Sequence, residues 1–132
     1  MAKRVLIVEN DIQYRQMLGD LLTGLGYEAL AAHDAFEAVR ALRREIVSAV
    51  LLDVKMPKAY GTDMLRHLRH QGSRVPVVVI SGYLTPDVTQ ELIGLGVRRI
   101  VTKPFTVRRV AAALGEWADD QGGADHGQAD AS

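Results

Sequence analysis

Short apolar runs alternating with segments of helical period constrain this chain more than any other feature. The clearest runs are Val5-Leu6-Ile7-Val8, Ala49-Val50-Leu51-Leu52 and Val77-Val78-Val79-Ile80, and a fifth-strand segment Val97–Val101 contains an arginine pair. Runs this short, separated by helix-length segments, point to repeated strand–helix units and a mainly parallel sheet. A strand covered by helices on both sides reads as a near-continuous apolar run, and those before Asp53 and Ser81 do. The expected fold is therefore α/β, a doubly wound parallel sheet. Right-handed crossovers in such a sheet put ligand sites at the carboxyl ends of the strands.

The helical segments carry their own punctuation. Tyr14, Met17, Leu18, Leu21, Leu22 and Leu25 form a stripe that ends at Gly26, followed by a weak strand, Tyr27–Ala31. Asp34 with Glu37 three residues on reads as a capping box, and the spacing turns Phe36, Val39, Leu42 and Ile46 inward. After the strand ending at Asp53 comes the loop Val54–Gly61, then a helix with Met64, Leu65 and Leu68 that stops at Gly72. A strand Val75–Ile80 follows, and Thr85-Pro86 opens the fourth helix as N-cap and first residue, with Val88, Leu92 and Leu95 at helical spacing. Thr106 caps the last helix, whose Val107, Val110, Ala111, Leu114 and Trp117 face the core. The count is five strands and five helices.

The chain of 132 residues suits one domain, residues 1–118, with 119–132 a disordered tail too poor in large apolar residues to join a core. Sixteen basic and sixteen acidic residues cancel, so no global field draws the chain to nucleic acid or an anionic membrane. The absence of cysteine excludes disulfides and thiolate metal sites. Val5–Val8 is too short for a signal peptide, and no stretch approaches the roughly 20 apolar residues of a spanning helix. A cytoplasmic location is expected.

Three strands each end on a residue suited to phosphoryl chemistry: Asp53, Ser81 and Lys103. The first ends on the acidic cluster Glu9-Asn10-Asp11. Met56-Pro57 and Gly61 follow the aspartate, and Lys103-Pro104-Phe105 follows the fifth strand. In order and on these elements, the marks resemble the receiver domain of bacterial response regulators over about residues 3–118. The resemblance implies a flavodoxin-like sheet with strand order 2-1-3-4-5. It implies that Asp53 takes a phosphoryl group from the phosphohistidine of a histidine kinase or phosphotransfer protein, forming an acyl phosphate. Charge on the transferring group is spread over its oxygens, so catalysis is positioning and neutralisation. Mg²⁺ would neutralise it through Glu9, Asn10, Asp53 and the backbone carbonyl of Lys55. Lys103 would pair with a phosphoryl oxygen, and Ser81 would donate its hydroxyl and draw its loop inward as the switch. The chain would then be no enzyme beyond catalysing its own Mg-dependent phosphorylation and dephosphorylation.

Several positions depart from the family pattern. The acidic pair after the first strand reads Glu9-Asn10, so the second metal position is an uncharged amide. A unit charge pair at ~4 Å is worth about 4 kcal/mol gross at an effective dielectric of about 20. Relief of repulsion with Glu9 and Asp53 reduces the net loss to about 1–3 kcal/mol, roughly tenfold to a hundredfold in Mg²⁺ affinity. Asp11 could compensate, although N-capping the first helix is its expected role. Ile100 stands where the family often has an aromatic ring. Lys55 and Tyr83 are placed to screen an acyl phosphate from water, which suggests slow hydrolysis. Tyr60 replaces a small polar residue before Gly61, with no derived consequence.

Other signals carry less. His67 and His70 sit three apart on a helix without a third ligand. Arg98, Arg99, Arg108 and Arg109 fall near the fourth helix, fifth strand and fifth helix, the face this family often uses for homodimers or protein targets. The leading expectation is a single-domain response regulator whose output is docking to a target or relaying phosphate. A pseudo-receiver acting as a phosphorylation-independent interaction module is the alternative, and a small flavin binder on the same sheet is a third.

Overall fold

The computed structural model describes residues 3–54, 60–82 and 84–126, with residue 60 and residues 119–126 described by backbone alone. Five strands, β1 (Arg4–Val8), β2 (Glu28–Ala32), β3 (Ala49–Asp53), β4 (Val77–Ser81) and β5 (Arg99–Thr102), alternate with five helices. The helices are α1 (Ile12–Gly24), α2 (Ala35–Arg44), α3 (Tyr60–His70), α4 (Pro86–Gly94) and α5 (Val107–His126). All strand pairs are parallel, in the order β2-β1-β3-β4-β5. This is the doubly wound parallel sheet expected from the apolar runs, in the flavodoxin-like strand order that the resemblance implies.

Strand parity divides the core into two layers. Leu6, Val8, Val50, Leu52, Val77 and Val79 pack with Met64, Leu65, Leu68 and Leu92 from α3 and α4. On the opposite face Val5, Ile7, Ala49, Leu51, Val78 and Ile80 meet Leu18 and Leu22 of α1 and Val110, Leu114 and Trp117 of α5. β3 and β4 are buried at every residue, which is why they read as unbroken apolar runs.

Two strands begin later than their apolar text. Pro76 has no N–H to donate, although its carbonyl accepts from Val50, so the β4 ladder starts at Val77. At β5, Gly96 adopts φ 90° and lets the Val97 N–H donate back to the Leu92 carbonyl, closing the end of α4. Val97 is thereby part of a helix cap, and pairing begins at Arg99.

The caps follow the text. Asp34 accepts from the Glu37 N–H at 2.8 Å, and the Glu37 carboxylate reaches back to the His33 N–H. Thr85 caps α4 through the Val88 N–H, and Thr106 accepts from the Arg109 N–H. The α2 stripe, however, is turned from its expected phase. Ala38 is buried and Ala35, Val39 and Leu42 pack inward, while Phe36 is 73% exposed. Size pointed to Phe36, but the spacing 35, 38, 39, 42 fixes the face. Ile46 is 88% exposed because the helix ends at Arg44 and its period no longer applies. Leu25 and Val107, also expected inward, lie at helix ends and are about half exposed. Residues 119–126, expected within the polar tail, carry helical backbone as the end of α5.

Candidate functional site

The register of the sheet assembles the site. Val8 lies opposite Leu52, so Glu9 follows at the level of Asp53. Ser81 lies opposite Thr102, and the Lys103 N–H donates to the Ser81 carbonyl at 2.6 Å. Glu9, Asp53 and Lys103 continue the parity of the strand residues that face α1 and α5, so their side chains converge on that face. Ser81 continues the parity of Val77 and Val79, on the α3 and α4 face.

The three converging groups bond directly. Lys103 Nζ donates to Glu9 Oε1 at 2.8 Å and to Asp53 Oδ2 at 3.2 Å. Glu9 is 1% exposed, Asp53 3% and Ser81 0%. Glu9 is also bonded elsewhere. Its Oε2 accepts from the Asp11 N–H at 3.0 Å, and its backbone carbonyl accepts from Arg15 Nη1. Burial pushes the Glu9 carboxyl above its ordinary range, against the pull of Lys103 and the Asp11 N–H. Burial works against the Lys103 ammonium too, but the Glu9 hydrogen bond and the charges of Asp53 and Glu9 outweigh it and raise its pKa. Two carboxylates share the Lys103 ammonium.

Two features add contacts that the sequence does not spell out, the second at Gly61, already a family mark. Lys103 Nζ sits 4.2 Å from the centroid of the Tyr14 ring, which packs on Phe105 at 5.3 Å. Tyr14 had been read only as one member of the α1 stripe, although its place three residues after the Asp11 cap turns it toward the site. Gly61 is the other. A Cβ there would lie 2.5 Å from Val54 Cα and 2.9 Å from the Asp53 carbonyl oxygen. The start of α3 therefore rests directly on the backbone leaving β3, and only glycine allows that approach.

The remaining candidates are placed as follows. Asn10 is exposed on the turn after β1. Asp11 caps α1, accepting from the Gln13 and Tyr14 N–H groups at 2.8 and 3.2 Å. Ile100 is half-buried against the α3 and α4 layer. Lys55, Met56, Pro57 and Tyr83 lie outside the described residues. Among the described residues no group of three or more His, Asp or Glu side chains forms a ready metal cage, and no helix is long and apolar enough to cross a membrane. The donor set present is two buried carboxylates, and it fits a hard, oxygen-seeking cation that keeps much of its water.

Comparison with known proteins agrees with this geometry. The model of the response regulator receiver domain family matches residues 5–115. Response regulator MprA of Mycobacterium ulcerans is 31% identical over 116 residues, covering 86% of this chain and 49% of that protein. The chain thus spans about half the length of that relative. A receiver domain protein from Methanospirillum hungatei superposes with a TM-score of 0.85 at 25% identity, covering 92% of this chain and 97% of that one. The receiver domain of the sensor histidine kinase PA1611 from Pseudomonas aeruginosa, solved with a magnesium ion in its active site cleft, gives a TM-score of 0.77 at 24% identity, covering 89% and 98%.

Proposed function

The chain belongs to the response regulator receiver family, and from that premise we propose that it is a phosphoacceptor that takes a phosphoryl group onto Asp53. The donor is the phosphohistidine of a histidine kinase or phosphotransfer protein, which implies a cytoplasmic setting. An Asp53 oxygen attacks phosphorus, the N–P bond breaks, and the imidazole leaves with the electron pair of that bond. The observation that carries the reading is Lys103, whose Nζ already bonds Asp53 at 3.2 Å while anchored on Glu9 at 2.8 Å. That anchor holds a cation beside the nucleophile before any phosphate arrives, so little reorganisation is needed.

Glu9 and Asp53, with the Asn10 amide and the Lys55 carbonyl, are the groups that would hold Mg²⁺, and the bound ion would supply neutralising charge for the phosphoryl oxygens. Glu9 keeps Lys103 in place from below, and the Tyr14 ring lies against the ammonium and shields it from water. Ser81, buried at the end of β4 on the α3 and α4 face, would turn toward Asp53 to donate its hydroxyl to the phosphoryl group, and the Lys103 N–H bonded to its carbonyl would pass that movement to β5. Signalling follows by contact with a protein target or a second copy through α4, β5 and α5.

A second reading rests on Asn10, which stands exposed with no charge to lend the metal. In it the chain is a pseudo-receiver that binds its partner without phosphorylation. Intact mass after incubation with Mg²⁺ and a small acyl-phosphate donor separates the two. A phosphoryl adduct on the wild type that is lost in Asp53→Asn supports the acceptor. A wild type that stays bare while Asn10→Asp is labelled favours the pseudo-receiver.

A further inference from the structure

At the opposite end of the sheet a groove of about 700 Å³ opens where β4 and β5 begin. Arg69, Arg74, Arg98 and Arg99 line it, with Trp117 of α5 in its wall. Pro76, Val77 and Leu95 give it an apolar floor. The volume falls within the range of small-molecule sites, roughly 300–1,000 Å³.

Among the described residues, arginines outnumber carboxylates there. Arg99 has the exposed Glu116 at 3.4 Å, but Arg69, Arg74 and Arg98 have no ion pair with a described carboxylate. Arg69 is committed to structure. It donates to the Leu95, Ser73 and Val75 carbonyls and so ties α3 to the end of α4 and the approach to β4. Burial, with Arg74 nearby, lowers its pKa. Arg74 and Arg98 are exposed, and a guanidinium fork matches phosphate oxygens two at a time. The Trp117 indole N–H is the one buried side-chain donor among the described residues without a hydrogen-bond partner, and it belongs to this same wall.

We propose that this groove binds a small phosphate-bearing ligand with a planar or apolar body, a nucleotide being the simplest of that class. The phosphates meet the exposed Arg74 and Arg98, and the ring lies on the floor beside Trp117. The site is independent of Asp53, because the groove lies where β4 begins, whereas Ser81 ends β4 and Asp53 pairs with Ile80 at that far end.

Trp117 is the only tryptophan, so its emission reports on the groove directly. The 132-residue chain is titrated with ADP in metal-free buffer, so that no Mg²⁺ carries phosphate to the acidic end, and calorimetry follows the same titration. A saturable signal at sub-millimolar ADP is expected, with pyrophosphate and adenosine each weaker. The double variant Arg74→Ala/Arg98→Ala, both exposed and outside the acceptor site, should lose roughly tenfold or more in affinity while keeping its melting temperature. No saturable binding by either method, unchanged affinity in the double variant, or pyrophosphate binding as tightly as ADP would each overturn the proposal.

Discussion

At the carboxyl end of the sheet the buried carboxylates of Glu9 and Asp53 both bond the part-buried Lys103, whereas at the amino end Arg74 and Arg98 stand exposed without a described carboxylate partner. The first set is placed by strand register, and each member lies one residue past a run that the core fixes. The second set is placed by helix ends and turns, where solvent screens each charge. Charge at the acidic end is therefore coupled to folding, and charge at the basic end is nearly independent of it. That difference can be tested by removing cations from either end.

Lys103→Met should have the largest effect on stability. It leaves two buried carboxylates without their ammonium, a loss of about 3–5 kcal/mol for a broken buried pair. Denaturant midpoints in metal-free buffer measure it. Added Mg²⁺ should recover much of the loss if the acidic pair takes the cation. The pH dependence has a definite sign. Glu9 has a raised pKa in the folded state, so the folded chain binds that proton more tightly than the unfolded one. Stability of the variant should therefore rise as pH falls toward the Glu9 range, and a flat profile would show that the buried charge is relieved in another way.

Gly61→Ala probes whether the acidic end depends on α3 as closely as on the strands. With 2.5 Å from the added Cβ to Val54 Cα, either α3 or the backbone after Asp53 must shift. Overpacking of this kind costs about 1–3 kcal/mol. Because the shift falls next to Asp53, phosphoryl uptake should slow as well. A variant that melts lower but labels at the wild-type rate would separate packing from chemistry at this position.

Asn10→Asp adds a charge where the structure leaves an amide. The exposure of Asn10 pulls the expected gain toward the tenfold end of the range, about 1.4 kcal/mol in Mg²⁺ affinity. Magnesium titration with and without the substitution reads it. No gain would mean that residue 10 does not reach the ion, and that Glu9 and Asp53 carry the binding alone.

The same contrast explains what the sequence could and could not reveal. The strand order came with the family resemblance, whereas the meeting of Glu9, Asp53 and Lys103 was legible because a strand's end is marked where an apolar run gives way to a polar residue. Asp34, Thr85 and Thr106 were legible as caps for a similar reason, since each offers a side-chain oxygen just before a helical period. The phase of α2 was not, because Phe36 outweighed the smaller Ala35 and Ala38 that define the buried face. The Tyr14 contact with Lys103 joins residues far apart in the chain, and no local period encodes it. The basic groove was missed for the same reason. Arg98 and Arg99 were noted, but as part of a helix–strand–helix face, while Arg69 and Arg74 come from the far side of β4.

The smallest expected effect is also the sharpest test of the contrast. Arg74→Ala/Arg98→Ala removes two charges, one more than Lys103→Met, yet it should change unfolding free energy by no more than about 0.5 kcal/mol. Both side chains are exposed and neither has a described ion pair to lose. Removing them also lessens repulsion with Arg69 and Arg99, so the change should be neutral or slightly stabilising, most visibly at low salt where screening is weak. A large destabilisation would mean that the arginines support the turn between α4 and β5, and that the basic end is tied to folding as closely as the acidic end. A neutral result would leave its charge to be explained by what it binds.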